Sequence, residues 1–116
     1  MMKITFRNPS LEQLANDQKE LTRKFGIKVS KGIMMRMALL AAVPNLGCVP
    51  HGHPEKCHEL KGNRKGQFAI YPANKVGVRL VLVPEHDPVP RKEDGGIDLT
   101  QVTEIMIWEI GDYHDE

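Results

Sequence analysis

The order of periodicities along the chain is its strongest fold constraint: helical spacing fills residues 11–43, and β-rich runs follow from residue 67 onward. Before the helices, Ile4 to Arg7 is short and rich in β-formers, and Asn8-Pro9 then supplies a helix cap with proline at the first helical position. Leu11, Leu14, Ala15, Leu21 and Phe25 fall mostly at three-and-four spacing, and Gly26 is placed to end that helix in a left-handed conformation. A second helix is predicted from about Lys28 to Val43, with Val29, Ile33, Met37 and Leu40 on one face and Pro44-Asn45 closing it. The β-rich runs are 67–71, 76–83 and 102–110, which read as three neighbouring antiparallel strands. Residues 44–58 and 84–98 are rich in Pro and Gly and read as loops, the second exposed between the last two strands. Helices segregated from strands predict an α+β fold, in which an N-terminal strand and a helical hairpin pack on a small, mainly antiparallel sheet.

A length of 116 residues suits one modest core, so a single domain spanning 1–116 is expected. The composition is globular, 41% hydrophobic and 27% charged, with no apolar stretch near the ~20 residues of a membrane span. The opening Met1-Met2-Lys3-Ile4 lacks a signal-like apolar run, and two cysteines are too few for a secreted disulfide scaffold. A soluble, cytoplasmic chain is therefore expected. The formal net charge of +1 makes no case for nucleic acid by itself, yet the charge is uneven. Lys19, Arg23, Lys24, Lys28, Lys31 and Arg36 face only Glu20 in their segment, whereas no Lys or Arg follows Asp98.

Three places carry residue types suited to chemistry. In Leu60-Lys61-Gly62-Asn63-Arg64-Lys65-Gly66 two glycines flank Lys61, Arg64 and Lys65, a tight cationic turn able to face a phosphate or simply to be solvated. Arg79 sits between Val78 and Leu80 in an apolar strand, where it either pairs with a carboxylate across the sheet or binds phosphate. Asp112-Tyr113-His114 is either a polar terminus or an acid/base site, with His to move a proton, Tyr to stack or donate, and Asp to orient the imidazole. Cys48, His51, His53, Cys57 and His58 have the atom types of a zinc site, but ligands two apart among prolines favour an incidental loop and no metal. Met34, Met35 and Met37 suit gap filling in the core or a partner groove. Trp108 is expected to pack in the core against a helix.

Leu60-Lys61-Gly62-x-x-Lys65-Gly66-Gln67-Phe68, an arginine in the next strand and a terminal Asp112-Tyr113-His114 resemble the HigB-like, plasmid-maintenance killer branch of the RelE/ParE toxin superfamily. The likeness covers Leu60 to His114, and the N-terminal half agrees in layout. The chain departs from it at Val78, where many relatives carry a large aromatic, and in Asp115 and Glu116 after the histidine. The resemblance implies a toxin that cleaves messenger RNA on the ribosome without a metal or other cofactor, halting translation. It implies Lys61 and Arg79 at the scissile phosphate, Asp112, Tyr113 and His114 around the cleaved nucleotide with His114 moving the proton, and Arg64 and Lys65 as RNA-binding cations. It implies a helix-turn-helix antitoxin (HigA-like) as partner, with operator DNA reached only through that complex and no membrane. The alternatives within the superfamily are a ParE-like gyrase inhibitor and a catalytically inactive antitoxin-binding protein.

Overall fold

A computed structural model describes residues 1–73 and 76–112. Strand β1 (Lys3–Phe6) leads into helix α1 (Pro9–Ala15), where the Asn8 side chain accepts the Leu11 amide at 2.9 Å and Pro9 opens the first turn. The single helix expected up to Phe25 is in fact two. Asn16 closes α1 by donating its side-chain amide to the Glu12 carbonyl, and Asp17 caps α2 (Gln18–Phe25) by accepting from the Glu20 amide at 3.1 Å. Adjacent Asn and Asp side chains offer the backbone local partners that compete with a continuous helix. Gly26 then takes a φ of +89°, which a side chain would strain, and starts α3 (Ile27–Ala42).

The remaining strands are β2 (His58–Glu59), β3 (Phe68–Ile70), β4 (Val78–Pro84) and β5 (Glu104–Asp112). They lie in the order β1-β5-β4-β3-β2, with the expected antiparallel β3-β4-β5 meander at the centre. β1 adds to the β5 edge in parallel, with Lys3 opposite Glu104 and Phe6 opposite Ile107. Between Val81 and Leu82 the register slips: Leu82 faces Ile107 and Val81 faces Glu109, leaving Trp108 as the extra residue of a β-bulge.

Alternation along the strands gives the sheet two faces. Phe68, Ile70, Leu80, Leu82, Ile105 and Ile107 join Leu40, Leu46 and Val49 in the main core, while Leu21, Val29 and Ile33 extend it between α2 and α3. Gly32 lets α3 approach the chain after β3 so closely that a Cβ there would lie 1.9 Å from the Pro72 carbonyl oxygen. The 84–98 segment is less exposed than expected. It folds back as a small hairpin with Arg91 bridged to Ile97, Gly95 at a φ of +91°, and Ile97 buried in the core. Ala69 and Val81 point the other way and form a small cluster with Leu60, against which Trp108 packs. The expectation for Trp108 is thereby corrected: next to core-facing Ile107, its indole falls on strand residues of the open face and not in the core beneath the helices, and the bulge sets Glu109 on that same face.

Candidate functional site

The open face of the sheet interleaves cations with aromatic rings. At the β3 end, the Arg79 guanidinium carbon lies 3.9 Å from the centroid of the Tyr71 ring. Its Nη1 also donates to the carbonyls of Val76 (2.9 Å) and Val78 (3.4 Å), so ring and backbone together set the plane of the charged group. Lys56 Nζ is 5.6 Å from the same ring, and the His58 ring is centred 6.0 Å from it. Lys56 has a φ of +50°, and its carbonyl lies 2.7 Å from His58 Nδ1. A carbonyl oxygen can only accept, so Nδ1 carries the proton and Nε2 is left as the acceptor of the neutral ring.

Tyr71 is held from behind. Its amide donates to the Glu55 carbonyl at 2.9 Å, and its own carbonyl accepts from Arg36 Nε at 2.9 Å. Arg36 projects from the buried side of α3, with Nη1 3.9 Å from a Glu55 carboxylate oxygen. A buried guanidinium with one backbone acceptor and one carboxylate is a costly arrangement to break, because either partner would be left desolvated. The helix-side core is thus wired to the aromatic ring on the opposite face.

Farther across the sheet, Arg64 Nη2 donates to Glu109 Oε1 at 2.8 Å, tying the cationic turn to the bulge. Arg7 leaves the end of β1 and lies over Trp108, 4.6 Å from the ring centroid. Lys61 is exposed at the start of the turn, immediately after buried Leu60 of the open-face cluster. The turn itself closes with Gly66, whose amide donates to Glu59 at 3.0 Å.

The residues singled out from sequence are distributed unequally about this face. Arg79 is central to it, Lys61 borders it, and Arg64 spans it to reach Glu109. Lys65 instead lines a separate cleft of about 620 Å³ with Glu59, Arg91 and Asp94. Asp112 ends β5 opposite Val78, whereas Arg79 lies opposite Gly111, so alternation directs their side chains to opposite faces of the ladder. Tyr113 and His114 lie outside the described residues. In the Cys/His segment, His51 Nδ1 is 3.0 Å from the Cys57 carbonyl, while burial pushes the Cys57 thiol up to about 12. Among the described residues no three His, Cys, Asp or Glu side chains converge as a metal site.

Tyr71, Lys56, His58 and Glu109 were not singled out from sequence as parts of one site. Tyr71 carried a usable signal, since it follows Phe68-Ala69-Ile70 in register with Ala69 and so falls on the open face. Arg36 carried another, an arginine at three-and-four spacing from Ile33 and Leu40.

A cation–aromatic face of this kind can hold a single-stranded polynucleotide, with phosphates on the guanidinium and ammonium groups and bases against rings or guanidinium planes. No family model matches the chain, and no curated protein matches it. Among solved structures it is similar to the YoeB/ParE toxin from Agrobacterium tumefaciens, at 12% identity and a TM-score of 0.54, over 97% of this chain and 100% of that one. The chain therefore has a RelE/ParE-like α+β fold, with three α-helices on a five-stranded mixed sheet among the described residues.

Proposed function

We propose that this protein is the toxin of a toxin-antitoxin pair and acts as a metal-independent endoribonuclease on ribosome-bound messenger RNA. The observation that carries the proposal is the Arg79 guanidinium, fixed between the Tyr71 ring and two carbonyls on the uncovered face of a toxin-like fold. RNA brings its own nucleophile. The 2′-oxygen attacks phosphorus, the bond from phosphorus to the 5′-oxygen breaks, and a 2′,3′-cyclic phosphate and a 5′-hydroxyl result. One group must take the 2′-hydroxyl proton and another must protonate the departing 5′-oxygen, while cations stabilise the extra negative charge on the phosphorane-like transition state.

Arg79 and Lys61 are assigned to the phosphate, with Arg64 as an RNA-binding cation at the turn; Lys65, which lines a separate cleft, is not assigned to this face. His114 is assigned the main proton transfer and Tyr113 a place beside the cleaved nucleotide, whereas Asp112, directed to the other face of the ladder from Arg79, is given no part on this face. His58, with Nε2 as acceptor and its ring beside Tyr71, is a second proton carrier available to the same face. A positioned acid or base contributes roughly 10²- to 10⁴-fold, and orientation on the ribosome supplies much of the remaining acceleration. A helix-turn-helix antitoxin of the HigA-like kind is the expected partner.

The test is induced expression with primer-extension mapping of messenger RNA, comparing wild type with Lys61→Ala, Arg79→Ala and His114→Ala at matched protein levels. Codon-phased cuts lost in the variants are the expected result. Growth arrest without cuts would transfer the assignment to a ParE-like gyrase inhibitor, and no arrest would leave a binding protein without nuclease activity.

A further inference from the structure

A cavity of about 680 Å³ opens at the margin of the open face, on the far side of Trp108 from the Arg79 end. It exists because β1 ends early. β1 runs beside β5 only from Glu104 to Ile107, and the Arg7 amide donates to the Ile107 carbonyl at 2.9 Å just before the chain turns away into α1. From Trp108 to Ile110 the β5 edge therefore faces the α1–α2 corner across open space. The volume is that of a small-ligand site, roughly 300–1,000 Å³.

The lining says what kind of group fits. Trp108 and Arg7 form one wall, with the guanidinium carbon 4.6 Å from the indole centroid. Asp17, Glu20 and Glu109 bring carboxylates, and Lys24 brings a second cation. The side-chain bond from Arg23 holds Glu20 below the usual carboxylate range, so it remains a hydrogen-bond acceptor near neutral pH. Three carboxylates against two cations disfavour a phosphate. They suit an uncharged ring whose face meets indole or guanidinium and whose edge donates hydrogen bonds. A nucleobase with an exocyclic amine is such a group: cytosine offers N4–H where uracil offers a carbonyl, and a carboxylate has nothing to donate to a carbonyl.

The cavity also lies on the path of the RNA. Gly111 is the β5 partner of Arg79, and Trp108 precedes it by three residues, about 10 Å along the strand. We propose that the cavity receives an unstacked, amine-bearing base of the RNA strand whose scissile phosphate sits at Arg79, held by Trp108 and Arg7 and selected by the carboxylates of Asp17 and Glu20. The proposal rests on RNA as the ligand of the open face and adds to it the element that discriminates sequence.

Trp108 is the sole tryptophan of the chain, so its fluorescence reports the cavity directly. The experiment titrates the full chain with 2′-O-methyl hexacytidylate and hexauridylate, which carry the same charge and lack the 2′-hydroxyl that cleavage needs. Hexacytidylate should quench Trp108 saturably and bind at least about tenfold tighter than hexauridylate, a difference of about 1.4 kcal/mol. With labelled oligonucleotides followed by anisotropy, Trp108→Leu should weaken hexacytidylate binding at least about fivefold, and Trp108→Phe, which keeps a ring, by less. Asp17→Ser with Glu20→Ala keeps a capping hydroxyl ahead of α2 and should bring the two oligonucleotides to parity. Arg7→Ala, at an exposed position, should weaken hexacytidylate binding with an unchanged melting temperature, which excludes misfolding as the cause. Lys92→Gln, outside the cavity, should leave both affinities as they are. No saturable quenching, equal affinity for the two oligonucleotides, or binding indifferent to both Trp108→Leu and Arg7→Ala would overturn the proposal. So would equal affinity for cytidine 5′-monophosphate, which would make the cavity a site for free nucleotides. The two proposals fail separately: codon-phased cuts without quenching sink the base site alone, and quenching by hexacytidylate without cuts sinks the nuclease alone.

Discussion

The two faces of the sheet are built from the same strands but do different work. Leu80 and Val81 are neighbours in β4 and both have no exposed surface, yet Leu80 enters the main core while Val81 joins the Leu60–Ala69 cluster beside Trp108. On the covered face burial of apolar side chains sets stability. On the open face a thin apolar patch carries polar groups whose geometry is set from beneath, through Arg36 to Tyr71 and through the bulge to Trp108 and Glu109. The candidate site is thus a sheet face left uncovered by helices and stiffened by a few long-range polar ties.

The largest test of that contrast is truncation on either side of the same strand. Leu80→Ala should cost about 2–5 kcal/mol in denaturant unfolding. Val81→Ala removes two buried methyls and should cost about 1.5 kcal/mol. Equal costs would mean that the open face is as well packed as the core.

Next comes the tie between faces. Arg36→Met keeps the bulk of the side chain but leaves the Tyr71 carbonyl without its donor and the Glu55 carboxylate without its counter-charge, which should cost about 1–3 kcal/mol. RNA cleavage should fall by more than the folded fraction does, because the Tyr71–Arg79 stack loses its support. If activity per folded molecule is unchanged, the faces are not coupled through Arg36.

A smaller effect is expected for the half-exposed Arg64–Glu109 pair, whose double-mutant cycle should give about 0.2–1 kcal/mol of coupling, weakened by salt. A value near zero would make the contact a matter of orientation alone.

A separate test is pH. The buried Cys57 keeps its proton up to about 12 in the folded chain, against 9.0 ordinarily. The unfolded chain loses that proton first, so stability should fall as pH rises through 9.0 toward 12, by up to about 1.4 kcal/mol per pH unit. The slope should be shallower in Cys57→Ala over the same range. In the folded chain at pH 8, iodoacetamide should label exposed Cys48 and spare Cys57.

What could be known from sequence was what depends on near neighbours. The Asn8-Pro9 start, the Gly26 junction and the two-residue alternation of the meander are local, governed by caps, backbone freedom and pleat. The α+β class followed from the order of those pieces, and the basic turn around Lys61 was visible from its glycines. The Asn16-Asp17 break was also local, though Leu14 and Leu21 on one stripe masked it.

Only the tertiary structure decided which residues meet. The parallel β1–β5 pairing joins residues about a hundred positions apart, the β4–β5 slip sets Glu109 on the same face as Trp108, and α3 reaches through Gly32 and Arg36 to hold Tyr71 beneath Arg79. It also set Arg79 and Asp112 on opposite sides of the ladder and drew Lys65 into another cleft. The physical reason is the same throughout: periodicity specifies which side of its own element a residue occupies, whereas register and packing between distant elements determine what stands opposite it.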